Sequence, residues 1–97
     1  MHYADAFVTA LNTKFGTDLY EVQPGRKYDR IVKHYRPGDG GSAFAFVDRG
    51  TGDLIKPGGW AKPQRDKDGL AVRFNLGTQF PEAVDAADPY GSFLYKR

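Results

Sequence analysis

The feature that most limits the possible folds is a hairpin pattern in the middle of the chain. Ala43 to Val47 is an apolar run, and Leu54 to Lys56 is a second, shorter one. The connection between them, Arg49 to Gly52, is short and contains two glycines. Two apolar runs joined in this way are typical of neighbouring antiparallel strands. The chain is therefore expected to contain an antiparallel sheet built around this hairpin.

The hairpin also predicts a register. If Asp48 lies opposite Asp53, Phe46 lies across from Ile55, and Phe44 joins these two on one apolar face. We interpret the two aspartates as turn-forming residues that accept backbone N–H bonds, rather than as an acid and base pair. The opposite face, expected to receive either the N-terminal helix or a ligand, holds Ala43, Ala45, Val47, Leu54 and Lys56.

Further strands are predicted on both sides of the hairpin. Residues 70–76 have the cleanest alternation, with Arg73 facing away from the core; the alternating apolar residues are Leu70, Val72, Phe74 and Leu76. Residues 19–23 suit a short strand that ends at the turn Pro24-Gly25. Residues 93–95 are a possible final edge strand.

The segment from Lys27 to Tyr35 is ambiguous. Its apolar residues recur with helical spacing, but its β-branched and aromatic content favours a strand. We predict a strand, bulged near Asp29 and Arg30, because the hairpin needs partners.

Two segments have helical patterns. Phe7, Leu11 and Phe15 are spaced four apart within residues 3–15, and Gly16 supplies a left-handed stop. Residues 81–87 can form two further turns. With 97 residues and 40% hydrophobic content, the chain can bury one core. The predicted fold is a single α+β domain, residues 1–97, in which an N-terminal helix packs on a four- to five-stranded antiparallel sheet, with a short second helix near the C-terminus.

Composition excludes several classes of function. The chain has no cysteine, so it has neither a disulfide framework nor a thiolate nucleophile. Residues 1–10 do not form an export leader, and no apolar stretch is long enough to span a bilayer. We therefore expect a cytoplasmic protein without a membrane partner.

No catalytic or metal-binding motif is complete. His2 and His34 are far apart and are interpreted as surface imidazoles. Asp66 to Gly69 imitates part of a calcium loop but is predicted to be a turn. Ser42 lacks the final glycine of a nucleophile elbow, and the loop from Pro37 to Ser42 is interpreted as a connector rather than a phosphate cradle. We expect a protein that is not an enzyme and that uses no cofactor or metal.

Basic residues interleaved with aromatic residues give the strongest functional signal. Cations contact phosphate, and flat rings stack on bases, so together they are typical of sites for nucleic acid or nucleotides. The alternative is that these cations only keep the protein soluble, since the net charge is only +2. The candidate ligand-binding residues are Lys56, Trp60, Lys62 and Arg73, followed by Lys27 and Arg30.

Three segments of the chain form a recognisable pattern: Lys27 to Val32, Ala45 to Asp48 followed by Thr51 to Asp53, and Trp60 to Pro63. In this pattern the chain resembles a set of small accessory proteins encoded by tailed bacteriophages. The resemblance implies a phage origin, a strand over residues 27–35 and a place in the host cytoplasm. It is a pattern of strands and turns, and it implies no chemistry.

The predicted function is that of a phage-encoded, non-enzymatic binding protein for an anionic ligand, either nucleic acid or a nucleotide. A counter-defence role would suit that setting. The alternative is a protein-interaction factor that docks on a host or phage protein through Tyr90, Tyr95 or an unpaired sheet edge. Pairing of residues 93–95 with a second copy makes a homodimer a further hypothesis.

Overall fold

The computed structural model describes residues 2–36, 38–67 and 69–95. Pro37 and Asp68, which belong to two of the predicted loops, and Met1 lie outside this part of the chain. In chain order the elements are α1 (Tyr3–Phe15), β1 (Tyr20–Gln23), β2 (Tyr28–Lys33), β3 (Ser42–Asp48), β4 (Asp53–Ile55), β5 (Arg65–Asp66), β6 (Gly69–Leu70), β7 (Val72–Asn75), α2 (Phe80–Ala86) and a 3-10 helix (Ser92–Leu94).

Within the described residues, five strands form one antiparallel sheet in the order β1-β2-β3-β4-β7. The strands β5 and β6 form a separate two-stranded ribbon inside the stretch expected to be a charged loop. The predicted α+β architecture, with its N-terminal helix, antiparallel sheet and short second helix, is confirmed. No helix in the described ranges is both long and apolar enough to cross a bilayer.

The apolar stripe of α1 faces the sheet as its spacing predicts. Phe7 and Leu11 are fully buried and belong to the same core cluster as Val47 and Leu54. Burying side chains of this size stabilises the fold by about 1.5–3 kcal/mol each. The helix ends at Gly16, whose φ of 62° is the left-handed conformation that glycine adopts readily.

A bulge in β3 changes which side chains reach the core. Phe46 pairs with Ile55 as predicted. Ile31 pairs with Ala45 but Val32 pairs with Ala43, so Phe44 is an extra residue on β3. The bulge turns the Phe44 side chain toward the helix side of the sheet. There its ring meets the Tyr20 ring edge-on, with 5.1 Å between the ring centroids. The prediction that Phe44 shares a face with Phe46 is therefore wrong, and the bulge lies beyond the predicted position at residues 29 and 30.

The predicted strand over residues 70–76 is interrupted. Leu70 ends β6, Ala71 is buried between the strands, and Val72 begins β7 with 38% of its surface exposed. Ile55 pairs with Val72 and Leu54 with Phe74, which leaves Arg73 as the extra residue of a second bulge. The prediction that the alternating apolar residues share one buried face is therefore wrong for Val72.

Lys14 joins the two helices. Its ammonium group donates to the carbonyls of Val84, Asp85 and Ala87 at 2.7, 3.0 and 2.8 Å. These carbonyls lie at the C-terminal end of α2, where the last carbonyls of a helix lack their regular partners and a nearby cation is favourable. A long-range contact of α1 thus supplies the cation that the last turn of α2 lacks.

Residues 92–94 form a 3-10 helix rather than the edge strand that was expected. The Asp88 carboxylate accepts hydrogen bonds from the backbone N–H of Phe93 and the hydroxyl of Ser92, and Gly91 has a φ of 80°. This local capping closes a turn and buries Leu94 completely. Because residues 93–95 form no strand, the proposed strand pairing between two copies loses its structural basis.

Candidate functional site

An open groove of about 400 Å³ lies at the end of the sheet where β3 begins and β4 ends. Two aromatic residues, Trp60 and Tyr95, contribute to its walls and remain 46% and 56% exposed. Large rings left open at one groove are a common feature of recognition sites. The full lining of this groove, called here the aromatic groove, is Gly41, Ser42, Ala43, Pro57, Gly59, Trp60 and Tyr95.

Trp60 is held in place by Arg30. The Arg30 guanidinium lies 4.3 Å from the centroid of the Trp60 ring, and its Nε donates to the Trp60 carbonyl at 2.8 Å. Its Nη1 also donates to Oε1 of Gln23 at 2.6 Å, which fixes the guanidinium on the sheet. The ring is therefore supported on one side while much of its surface stays open.

The loop that carries Trp60 is closed at its base. Pro57 and Pro63 form an isolated bridge, and the Gly58 N–H donates to the Lys62 carbonyl at 3.0 Å. A Cβ atom at Gly58 would lie 3.0–3.1 Å from backbone atoms of Pro63 and Gln64, so any larger residue here would require the base of the loop to shift. The closed base explains how a glycine-rich segment presents an ordered indole.

Tyr95 is positioned by the C-terminal segment that precedes it. Lys33 Nζ and the Tyr20 hydroxyl both donate to the Pro89 carbonyl, at 2.6 and 3.0 Å. Burial, together with the nearby Asp88 charge, raises the pKa of Tyr20 to about 12, so its hydroxyl remains a donor at neutral pH. The anchored segment delivers the Tyr95 ring to the aromatic groove.

Lys56 brings a positive charge to this ring. Its Nζ lies 4.2 Å from the centroid of the Tyr95 ring. Within the described residues, Lys56 has no ion-pair partner, and the lining of the aromatic groove contains no carboxylate. The site therefore combines flat apolar faces with a cation that has no ion-pair partner in the described part of the chain.

The remaining predicted residues divide between two other places. Arg30 and Lys27 line a second groove of about 330 Å³, whose other lining residues include Arg26 and Tyr28. Lys62 lines a smaller depression with Arg65. The structure therefore places Lys56 against the Tyr95 ring, which lines the aromatic groove with Trp60, and it places Arg30 between this groove and the second one.

Arg73 does not line the aromatic groove. It is half-buried, and its Nε donates to the Leu94 carbonyl at 2.7 Å. The sequence prediction that Arg73 points away from the core overlooked this contact, which follows from the bulge in β7 and from the 3-10 helix. Arg73 thus supports Leu94, the residue before Tyr95. Tyr95 lines the aromatic groove but was not among the ligand-binding residues predicted from the sequence.

The glycine-rich loop is organised around an internal carboxylate. Asp39 accepts hydrogen bonds from the backbone N–H groups of Tyr35, Arg36 and Gly41, at 2.7, 3.2 and 2.9 Å. These bonds, with one from His34, lower the pKa of Asp39 to about 2. Because its own aspartate takes these N–H groups, the loop resembles an anion nest that is already filled.

His34 is not the plain surface imidazole that the sequence suggests. Its Nε2 lies 2.6 Å from Oε1 of Glu21, and its Nδ1 lies 2.8 Å from Oδ1 of Asp39. These two hydrogen bonds raise the pKa of His34. Because each carboxylate engages a different ring nitrogen, the three groups do not converge on a cation. Among the described residues, no cluster of metal-ligating side chains is present.

Two further polar predictions can be compared with the structure. Asp48 accepts the N–H groups of Gly50 and Thr51 at 2.8 and 3.1 Å, as expected of a turn-forming aspartate. Asp53 instead accepts a hydrogen bond from Nδ2 of Asn75. Ser42 lines the aromatic groove, but both ring nitrogens of His34 are engaged by carboxylates, so this histidine is not available as its base.

Comparison with known proteins gives one match. Neither a curated protein nor a solved structure matches the chain. The model of the DUF7717 family, described as a family of unknown function, matches residues 2–96. This match covers nearly all of the 97 residues. The chain therefore belongs to the DUF7717 family.

Proposed function

We propose that the protein binds a nucleotide or single-stranded nucleic acid, without catalysis, by stacking a base in the aromatic groove. The observation that carries this proposal is the presence of Trp60 and Tyr95, both about half exposed, in one groove, with the Lys56 ammonium group 4.2 Å from the Tyr95 ring. Stacking on such rings contributes about 1–3 kcal/mol per base and tolerates any base, because every base has a flat face.

The dimensions of the groove support a ligand of this size. A volume of about 400 Å³ lies at the lower end of the range for small-molecule sites. The groove is open rather than enclosed, so a base can enter it while its sugar and phosphate remain in solvent. Lys56, whose Nζ lies 4.2 Å from the centroid of the Tyr95 ring, is the expected phosphate contact.

The test uses the fluorescence of Trp60, which is the chain's single tryptophan. Titration with nucleoside monophosphates and with an oligothymidylate should quench its emission as a base stacks on the indole. Tyr95→Ala should weaken binding by about 5- to 150-fold, the equivalent of one lost stacking contact. Lys56→Ala should reduce the salt dependence of binding by about one phosphate contact.

The chain offers matched controls for both variants. Tyr90 is 74% exposed and does not line the aromatic groove, so Tyr90→Ala should leave affinity within about twofold. Lys67→Ala removes an exposed cation elsewhere on the surface. If no nucleotide or oligonucleotide changes the fluorescence, or if Tyr90→Ala weakens binding as much as Tyr95→Ala, the proposal is wrong.

The resemblance to phage accessory proteins supplies a biological setting for the proposal. A protein that takes up nucleotides, or covers single strands, in an infected cell would act against host defences that use such molecules. Infection of a defended host by phage with and without the gene would test this role. Equal growth of the two would exclude it without affecting the binding proposal.

A second candidate function is docking on another protein. It is favoured by a separate pair of exposed rings, Tyr35 and Tyr90, which lie 4.9 and 4.8 Å from Lys33 Nζ. Exposed tyrosines are enriched at protein interfaces. Under this alternative, Tyr35→Ala and Tyr90→Ala would abolish partner binding, whereas Tyr95→Ala would not. The two functions therefore depend on different residues: ligand binding on Tyr95, and partner binding on Tyr35 and Tyr90.

A further inference from the structure

The second groove lies directly beside the first. Arg30 is common to both: it lines the second groove, and its guanidinium stacks on Trp60, which lines the aromatic groove. The chain also links them, because Gly59 and Trp60 line the aromatic groove while Ala61 and Pro63 line the second. A ligand that leaves one groove past Trp60 therefore enters the other.

The second groove has a different chemical character from the first. It carries three cations, Arg26, Lys27 and Arg30, and its described lining contains no carboxylate. Arg26 and Lys27 are exposed and have no ion-pair partner among the described residues. The Arg30 guanidinium has five N–H groups, and its two hydrogen bonds to Trp60 and Gln23 leave others available.

Asp29, the carboxylate that lies between Tyr28 and Arg30 in the sequence, is already engaged. Asp29 accepts the Gly25 N–H at 3.2 Å and lies 3.5 Å from Arg49 Nε, and its side chain is only 13% exposed. Arg49 also donates to the Gly25 carbonyl at 2.7 Å, which rigidifies the turn that carries Arg26 and Lys27. The turn therefore presents two cations whose charge is not cancelled locally.

A flat ring accompanies these cations. Tyr28 lines the second groove and is half-buried, and Lys27 Nζ lies 5.5 Å from the centroid of its ring. Cations that follow a backbone, with rings placed at intervals beside them, are the arrangement by which proteins hold single strands. A mononucleotide has one base and one phosphate. If the base occupies the aromatic groove and the phosphate contacts Lys56, no group remains to occupy the second groove.

We infer that the ligand is a single-stranded oligonucleotide that runs through both grooves, with one base stacked on Trp60 and Tyr95 and the following phosphates held by Arg26, Lys27 and Arg30. This inference rests on the proposed function and narrows it from nucleotides in general to strands. Both grooves must be occupied for full affinity, so affinity depends on the length of the strand.

The test compares thymidine monophosphate with di-, tetra- and octathymidylate, using Trp60 quenching and calorimetry. Affinity should rise at least tenfold from the mononucleotide to the tetranucleotide. Arg26→Ala combined with Lys27→Ala should weaken tetranucleotide binding about tenfold. Loss of two phosphate contacts should also reduce the slope of log affinity against log salt by about 1.4, at roughly 0.7 per phosphate on a single strand. Binding of the monophosphate should not change.

The matched control removes the same charge elsewhere. Arg36→Ala combined with Lys67→Ala takes away two exposed cations that line neither groove, and it should change tetranucleotide affinity by less than about threefold. Thermal unfolding of both double variants confirms that they are folded.

The outcomes separate the two proposals. If the monophosphate binds as tightly as the octanucleotide, or if the two double variants behave alike, the strand inference is overturned and the nucleotide proposal stands. If no probe quenches Trp60, the proposed function is refuted, and the inference is refuted with it. A duplex of the same sequence should bind more weakly than the strand, since its bases are stacked internally; equal binding would also overturn the inference.

Discussion

Asn75 joins the hairpin loop to the second helix through one side-chain amide. Its Oδ1 accepts hydrogen bonds from the backbone N–H groups of Gly77 and Thr78, at 2.8 and 3.0 Å. Its Nδ2 donates to the Thr51 carbonyl and to Oδ1 of Asp53, both at 2.9 Å. These four bonds connect the β3–β4 loop with the turn between β7 and α2, and we predict that Asn75→Ala destabilises the fold.

The expected magnitude follows from the exposure of the partners. An intramolecular hydrogen bond contributes about 0.5–1.5 kcal/mol net, and an unsatisfied buried group costs more. Gly77 and Thr78 are exposed, so water replaces the amide at their N–H groups, whereas Asp53 is half-buried. Asn75→Ala should therefore lower the free energy of unfolding by about 2–4 kcal/mol. For a domain of this size, the corresponding fall in Tm is roughly 10–30 °C.

Urea denaturation followed by far-UV circular dichroism measures this change, and two further variants test its cause. Thr78→Ala removes a hydroxyl 3.3 Å from Oδ1 but keeps the backbone N–H, so it should cost less than about 0.5 kcal/mol. Asn75→Asp keeps the acceptor oxygen but places a second carboxylate against Asp53. The loss of stability in this variant should therefore become smaller at acidic pH, when one of the two carboxyl groups is protonated and can donate a hydrogen bond to the other. The reasoning fails if Asn75→Ala is as stable as Thr78→Ala.

Two other predictions concern the titration of the glycine-rich loop and the contact between the helices. Hydrogen bonds to Glu21 and Asp39 raise the pKa of His34 above its ordinary 6.5. Protonated His34 therefore contributes its full stabilisation of the fold below pH 6.5, and this contribution is lost as the pH rises through the raised pKa of the folded state. His34→Gln should remove this alkaline loss in urea titrations repeated across pH, and an unchanged pH profile would contradict the assignment. Asp39, with a pKa of about 2 against an ordinary 3.8, acts in the opposite direction, and its contribution is lost as pH falls toward 2. Lys14→Met keeps the apolar stem of the side chain but removes the cation from the end of α2. It should lower the free energy of unfolding by about 1 kcal/mol in the same denaturation assay. Ala6→Ser, on the exposed side of α1, is the control.

Local patterns in the sequence were sufficient for the elements whose residues are close together in the chain. The α1 stripe ends at Gly16 as its spacing predicts, and Phe46 pairs with Ile55 because a short connection fixes the register of a hairpin. The segment from Lys27 to Tyr35 is a strand over Tyr28–Lys33, since the hairpin offers it a partner. In the first two cases neighbouring residues carry most of the information, whereas for residues 27–35 the adjacent hairpin decides between helix and strand.

The errors arise where distant segments decide the structure. The prediction that Phe44 and Phe46 share a face assumes that side chains alternate regularly along β3. Only the pairing of β3 with β2 shows that β3 contains an extra residue. The apolar content of residues 93–95 favours a strand, but Asp88 caps a 3-10 helix there and Leu94 fills the core. His34 looked isolated because Glu21, one of its two partners, lies on another strand.

The candidate site shows the same division. Trp60 and Lys56 are four residues apart in the sequence; Trp60 lines the aromatic groove, and Lys56 lies against the Tyr95 ring that also lines it. Tyr95 is 35 residues from Trp60 in the sequence and reaches the groove only because the Pro89 carbonyl and Leu94 anchor its segment. The basic and aromatic composition is the basis of the proposed class of ligand, but the second ring of the groove depends on packing that no local pattern encodes.

Arg30 explains why an exposed indole can serve as a binding surface here. A tryptophan that follows two glycines would ordinarily sample many orientations, and a ligand would have to immobilise it, at a cost of about 0.5–1.5 kcal/mol for an ordered side chain. The stack at 4.3 Å and the hydrogen bond to the Trp60 carbonyl fix both the ring and its backbone before any ligand arrives. Because the same guanidinium lines the second groove, a phosphate bound there contacts the group that orients the indole. In the proposed complex, a phosphate in the second groove would therefore stabilise the stacking surface of the aromatic groove, and the two grooves would act as a single site.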